Sequence, residues 1–195
     1  MSVPKKEFEN GISVEELLER NKQYAQTEHK KLPDLVSLMG GNPALYGPHI
    51  LVLSCLDSRS NPYQVLGLKP YEAIVLRHIA GRITSAEFEI AGLDTLFHLT
   101  QIIVLQHTNC GASVINPQMV LDSIKQKRPE LKDSDYLTGL EGKFPSLDRD
   151  SHRGLKYELR AVKESKILRK DLIDNVVGLY LNVDTGLVDR VFEDS

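Results

Sequence analysis

Cysteine is scarce and tryptophan is absent: 195 residues hold only Cys55 and Cys110. Two cysteines cannot form the dense disulfide framework of a small secreted fold. In a reducing cytoplasm, the compartment expected here, they point instead to metal binding or catalysis. No apolar run is long enough to cross a bilayer, so no membrane contact is expected. Residues 1–10 lack the apolar core of a signal peptide, and their mixed lysines and glutamates do not suit a transit peptide. An excess of positive charge is also missing. The 24 basic and 27 acidic residues leave a net charge of −3, without the electrostatic footprint of a nucleic-acid binder. There is no internal repeat, no low-complexity segment, no serine–histidine pair and no glycine loop built to cradle phosphate.

What is present is an ordinary soluble composition, 41% hydrophobic and 26% charged, and enough chain for one domain with a sizeable core. Ser13-Val14-Glu15-Glu16 reads as a capping box that opens a helix to about Lys30, with Ile12 as its staple. The apolar stripe of that helix, Val14, Leu17, Leu18 and Tyr24, is thin, so the helix should pack on something else. Pro33 starts a second short helix that ends at Gly40-Gly41. Strand and helix patterns then alternate. Strands are expected at 49–54, 72–76 and 101–106, with a helical turn after Pro62 and a helix from Thr84 to about Leu99. The two central strands are nearly continuous apolar runs, as in a parallel sheet covered on both faces. Pro117 begins a helix to about Lys127, the stretch 129–150 reads as loop, and 151–173 reads as helix with a solvated charged face. Residues 176–183 and 187–192 form a C-terminal hairpin across Asp184-Thr185-Gly186. The expected fold is therefore α/β, a mostly parallel central sheet flanked by helices. It forms a single domain over 1–195, with 1–40 as a helical arm and 41–195 as the core.

Chemistry gathers at two strand ends. Cys55-Leu56-Asp57-Ser58-Arg59 follows Ile50–Leu53, and His107-Thr108-Asn109-Cys110-Gly111 follows Ile102–Leu105. Open α/β sheets carry their sites at such ends. Two thiolates and an imidazole can hold a catalytic zinc and leave a fourth position free. Asp57, two residues from Cys55, can reach that fourth position as a ligand. Arg59 offers a guanidinium fork that can clamp the same carboxylate. The bland alternatives are buried cysteines with a core histidine, and an ion pair that merely stabilises a turn. Of the other histidines, His29, His49, His98 and His152 read as surface or capping residues, and His78 as a packing residue.

Cys-x-Asp-x-Arg after one strand and His-x-x-Cys-Gly after another resemble the β-class carbonic anhydrases, in particular their compact fungal or archaeal members. The resemblance covers roughly residues 45–115 and is echoed by Val177-Gly178-Leu179-Tyr180 and Asp184-Thr185-Gly186. It implies one zinc per chain on Cys55, His107 and Cys110, with Asp57 and Arg59 as catalytic dyad. The implied activity is reversible hydration of carbon dioxide to bicarbonate. It also implies a homodimer or higher homo-oligomer in which the N-terminal helix lies across the partner subunit. Where the family usually carries Arg-Asn-Ala-Gly, this chain has Arg77-His78-Ile79-Ala80-Gly81. Two alternatives stand beside the main reading: hydrolysis of a carbon dioxide analogue (carbon disulfide or carbonyl sulfide) on the same site, and an inactive zinc-binding scaffold protein.

Overall fold

The computed structural model describes residues 12–29, 47–132, 134–138 and 151–193. In chain order its principal elements are α1 (Val14–Thr27), β1 (Ile50–Cys55), α2 (Pro62–Val65), β2 (Ile74–His78), α3 (Glu87–Phe97), β3 (Gln101–His107), α4 (Pro117–Lys127), α5 (Asp135–Thr138), α6 (Ser151–Ala161), α7 (Lys170–Asp174), β4 (Val176–Leu181) and β5 (Val188–Val191). The sheet order is β2-β1-β3-β4-β5, with β4 and β5 antiparallel and the other pairs parallel. A mostly parallel sheet flanked by helices and closed by a hairpin is the expected architecture.

Both neighbours of β1 follow it in sequence. The chain leaves β1 to one side for β2, then returns across to β3 on the other side. The point at which the strand order reverses direction therefore falls between the carboxyl ends of β1 and β3, the place where open α/β sheets leave a crevice. Leu51 and Leu53 of β1 and Ile102 and Val104 of β3 enter a core with Ile83, Ile90, Leu155, Leu159 and Leu172 from α3, α6, α7 and their approaches. Val52 and Leu105 point the other way, toward Val65, Leu66, Leu68 and Leu181. Burial on both faces explains why these strands read as unbroken apolar runs.

Several boundaries differ from the sequence reading for local reasons. β2 begins two residues late. The preceding residues form a turn in which Glu72 accepts from the Lys69 amide at 2.8 Å and Tyr71 takes a left-handed φ of 70°. Thr84 does not open α3, which starts at Glu87, because its hydroxyl donates to Glu158 of α6 at 2.9 Å. The helix expected over 151–173 breaks after Glu164. The Ser165 hydroxyl accepts from the amides of Ile167 and Leu168, and Leu168 turns into the core. Within the expected loop 129–150, Pro129–Leu131 and α5 are single helical turns. The helix expected from Pro33 and the 139–150 part of that loop lie outside the described residues.

In α1 only half of the expected capping box forms. The Glu16 amide donates to the Ser13 hydroxyl at 3.1 Å, while the Glu16 carboxylate pairs with Arg20. Every residue of α1 is exposed, its apolar stripe included. Among the described residues, no helix is long and apolar enough to cross a membrane.

Candidate metal centre and active site

Cys55 is the last residue of β1, and His107 the last of β3. Adjacent parallel strands bring both to the same edge of the crevice. After His107 the chain must reverse at once, and Asn109 allows it with a φ of 53°. Asparagine tolerates this left-handed conformation better than most residues. The turn presents Cys110 to Cys55 at an Sγ–Sγ distance of 3.7 Å. The ligand atoms of Cys55, His107 and Cys110 all lie within 4.8 Å of one another. Both cysteines are free thiols.

A metal is the group this arrangement fits. Two sulfurs held tetrahedrally at about 2.3 Å from one zinc stand roughly 3.8 Å apart. His107 Nδ1 bonds the Thr108 carbonyl at 2.8 Å. A carbonyl only accepts, so Nδ1 carries the proton, and in the neutral ring Nε2 carries the lone pair. That Nε2 is buried, has no hydrogen-bond partner, and faces the two sulfurs. A buried acceptor left unpaired is costly unless something else fills its coordination.

Titration couples the three groups. A hydrogen bond from the Cys110 thiol, helped by His107 and opposed by burial, pulls the Cys55 thiol down to about 4. The same hydrogen bond, together with burial, pushes the Cys110 thiol up. For His107, burial alone would favour the neutral ring, but the Cys55 thiolate and the Thr108 carbonyl outweigh it and raise the imidazole. The pair is thus set so that Cys55 ionises before Cys110.

Asp57 caps the short 3-10 turn Ser58–Ser60, accepting from the Arg59 amide at 2.9 Å. The Arg59 side chain turns back and clamps the carboxylate at both oxygens, Nε to Oδ1 at 2.9 Å and Nη2 to Oδ2 at 2.6 Å. Arg59 Nη2 also donates to the Asn109 carbonyl at 3.0 Å and so ties the two loops together. The Arg59 hydrogen bond holds the Asp57 carboxyl well below the usual carboxylate range. Asp57 Oδ2 lies 4.0 Å from His107 Nε2. The structure therefore brings all five sequence-selected residues to one place. Asp57 stands beside the three-ligand group with both oxygens engaged by Arg59.

Two further residues build this site without having been given a role in it from the sequence. Arg77, at the end of β2, donates to the carbonyls of Cys55 (3.0 Å) and Asp57 (2.6 Å). The Ser60 hydroxyl is placed against the same two carbonyls, at 3.3 and 2.9 Å. The available signal was that Arg77, next to last in a strand that opens with three apolar residues, heads the segment that stands in place of the family's Arg-Asn-Ala-Gly. Of the other histidines, His98 forms the left-handed cap of α3, and His49 Nδ1 bonds the Phe97 carbonyl at 2.7 Å. His78, expected to pack, is about one-third exposed and lies 3.9 Å from Glu89.

The carbonic anhydrase family model matches residues 50–188, a span that contains every residue of this site. A β-carbonic anhydrase of Mycobacterium tuberculosis is 30% identical over 145 residues, which cover 73% of this chain and 82% of that protein. A carbon disulfide hydrolase of an Acidianus strain is 35% identical over 91 residues, covering 46% of this chain and 44% of that protein. The crystal structure of a carbonic anhydrase from Streptococcus mutans shares the fold, with a TM-score of 0.68 and 23% identity over 93% of this chain and 99% of that one. The chain belongs to the β-carbonic anhydrase family. It nevertheless spans less than half the length of several relatives, 46% of a plant mitochondrial member and 43% and 44% of two carbon disulfide hydrolases.

Proposed function

We propose that the chain catalyses reversible hydration of carbon dioxide to bicarbonate and a proton, with one zinc per chain held by Cys55, His107 and Cys110. The observation that carries this reading is the buried, unpaired Nε2 of His107 facing two thiols whose spacing suits one tetrahedral ion. Bound there, zinc supplies a Lewis acid at which water ionises near neutral pH. The protein supplies orientation. Arg59 fixes the Asp57 carboxylate, whose remaining lone pairs can accept a hydrogen bond from water entering the crevice. Because Arg59 keeps that carboxyl ionised, Asp57 acts as an acceptor that aligns water and is too weakly basic to carry the proton away. If Arg59 released it, the same carboxylate could serve as a fourth ligand and close the site.

A second reading is hydrolysis of carbon disulfide or carbonyl sulfide, favoured by the identity shared with two carbon disulfide hydrolases. These substrates are small linear molecules like carbon dioxide, and the same constellation suits each. Stopped-flow hydration of carbon dioxide and sulfide release from carbon disulfide, measured on one zinc-loaded preparation, separate the readings. Fast hydration supports the first reading, and sulfide release without hydration supports the second. Neither activity would leave a zinc-binding scaffold.

The whole of 1–195 is read as one domain. The exposed apolar stripe of α1 (Leu17 49%, Leu18 57%) supports a homodimer or higher homo-oligomer in which that helix covers a partner subunit. Sedimentation of the full chain and of Leu17→Glu tests this. Free thiols suit a reducing compartment, and we place the protein in the cytoplasm.

A further inference from the structure

We infer that Arg77 is a positioning residue that sets the turn carrying Cys55 and Asp57. Arg77 lies on β2 opposite Ser54 in the parallel register, and the next pair is Cys55 with His78. Its guanidinium reaches past the end of the strand. There it takes the Cys55 carbonyl with Nε and the Asp57 carbonyl with Nη2. These carbonyls flank Leu56, whose own amide donates to the His78 carbonyl at 3.1 Å. Three consecutive residues are thus fixed from one neighbouring strand, two by a side chain and one by backbone.

The placement has a functional direction. Cys55 and Asp57 turn their carbonyls toward Arg77 and Ser60, while their side chains reach the ligand group and Arg59. Among the described residues no carboxylate pairs with Arg77, and its side-chain hydrogen bonds go to these two carbonyls. Charge-assisted hydrogen bonds in a rigid fork hold geometry better than a single flexible donor does. The Asp57–Arg59 clamp is local and survives without Arg77. What Arg77 sets is where that clamp stands relative to Cys55 and His107. Small misplacements of this kind are costly in catalysis.

The catalytic part of this inference rests on the proposed function, whereas the placement of the Cys55 sulfur does not. The test uses the full chain loaded with cobalt(II) or zinc, as wild type, Arg77→Lys and Arg77→Ala. Metal content should stay near one ion per chain in all three. The cobalt(II)–thiolate absorption of Arg77→Ala should change in energy or intensity. Its kcat should fall roughly tenfold to a hundredfold with KM little altered. Arg77→Lys should lie between, and added methylguanidinium should restore part of both signals in Arg77→Ala. A cobalt spectrum and kcat like wild type in Arg77→Ala would overturn the inference. So would a loss that neither Arg77→Lys nor methylguanidinium relieves. If Arg77→Ala does not fold, a wild-type spectrum in Arg77→Lys, which cannot hold both carbonyls in the same fork, decides against it. A wild type inactive toward carbon dioxide and carbon disulfide would sink the proposed function and leave the spectral test standing.

Discussion

Replacing Glu158 by glutamine should destabilise the protein severely, although Glu158 lies outside the site. Its side chain is 1% exposed and accepts from Arg82 Nε at 3.0 Å, the Thr84 amide at 3.0 Å and the Thr84 hydroxyl at 2.9 Å. Arg82 is itself buried, with an 8% exposed side chain. Glutamine keeps the volume but removes the countercharge and leaves a buried guanidinium uncompensated. Breaking one side of a buried pair costs about 3–5 kcal/mol. In a domain of this length each kcal/mol moves Tm by about 2–4 °C, so the expected drop is roughly 6–20 °C. The assay is thermal unfolding followed by circular dichroism at one protein concentration, because association would shift Tm by mass action. The double variant Arg82→Met/Glu158→Leu should recover only part of the loss, since apolar residues can replace the buried pair at little cost but the Thr84 amide and hydroxyl lose their acceptor. A Glu158→Gln protein within about 3 °C of wild type would refute the reasoning. Such a result would mean that Arg82 finds water or another partner when its carboxylate is gone.

Further outcomes follow from the site. Gly81→Ala should lower stability by about 1–3 kcal/mol and weaken metal retention. The glycine has a φ of +60°, and an added Cβ would meet the Leu105 oxygen at 3.0 Å and the Cys55 nitrogen and Ser54 carbonyl carbon at 3.1 Å, all backbone; urea unfolding and zinc analysis check this. Arg59→Ala should keep its metal but lose hydration rate, because the Asp57 carboxyl rises toward its ordinary range and is freed to close the site; unchanged kinetics would remove Arg59 from the mechanism. Zinc uptake at neutral pH should release between about one and two protons per ion, measured by calorimetry in buffers of different ionisation enthalpy. The sign follows from the three ligands. Cys55 is already a thiolate above about pH 4, Cys110 is held protonated, and His107 is raised toward imidazolium, so acid should expel the metal and alkali favour it. Uptake without proton release would contradict that coupling.

Much of this molecule was legible in the sequence because burial writes a pattern. β1 and β3 are covered on both faces and read as apolar runs, and Pro117 marks the start of α4. The motif residues were legible because their types are rare here and sit at strand ends. What escaped notice depends on tertiary partners. The break after α6 comes from Ser165, whose hydroxyl is drawn to Glu87 at 3.1 Å. Thr84 looked like a helix start but is claimed by Glu158 across the core. Arg77 heads the segment that stands in place of the family's Arg-Asn-Ala-Gly, but its contacts with the Cys55 and Asp57 carbonyls appear only when β2 pairs with β1. The pairing of Asp57 with Arg59 was one of two partners open to that carboxylate, and spacing could not choose between them.

The most direct test of the account is X-ray absorption at the zinc edge of the purified full chain. Two sulfurs at about 2.3 Å and one histidine nitrogen at about 2.0–2.1 Å, with one further light atom, are the expected shell. Cys110→Ser should lose one sulfur or the metal altogether. A shell of nitrogen and oxygen only, unchanged in Cys110→Ser, would contradict the claim that Cys55, His107 and Cys110 form the metal centre.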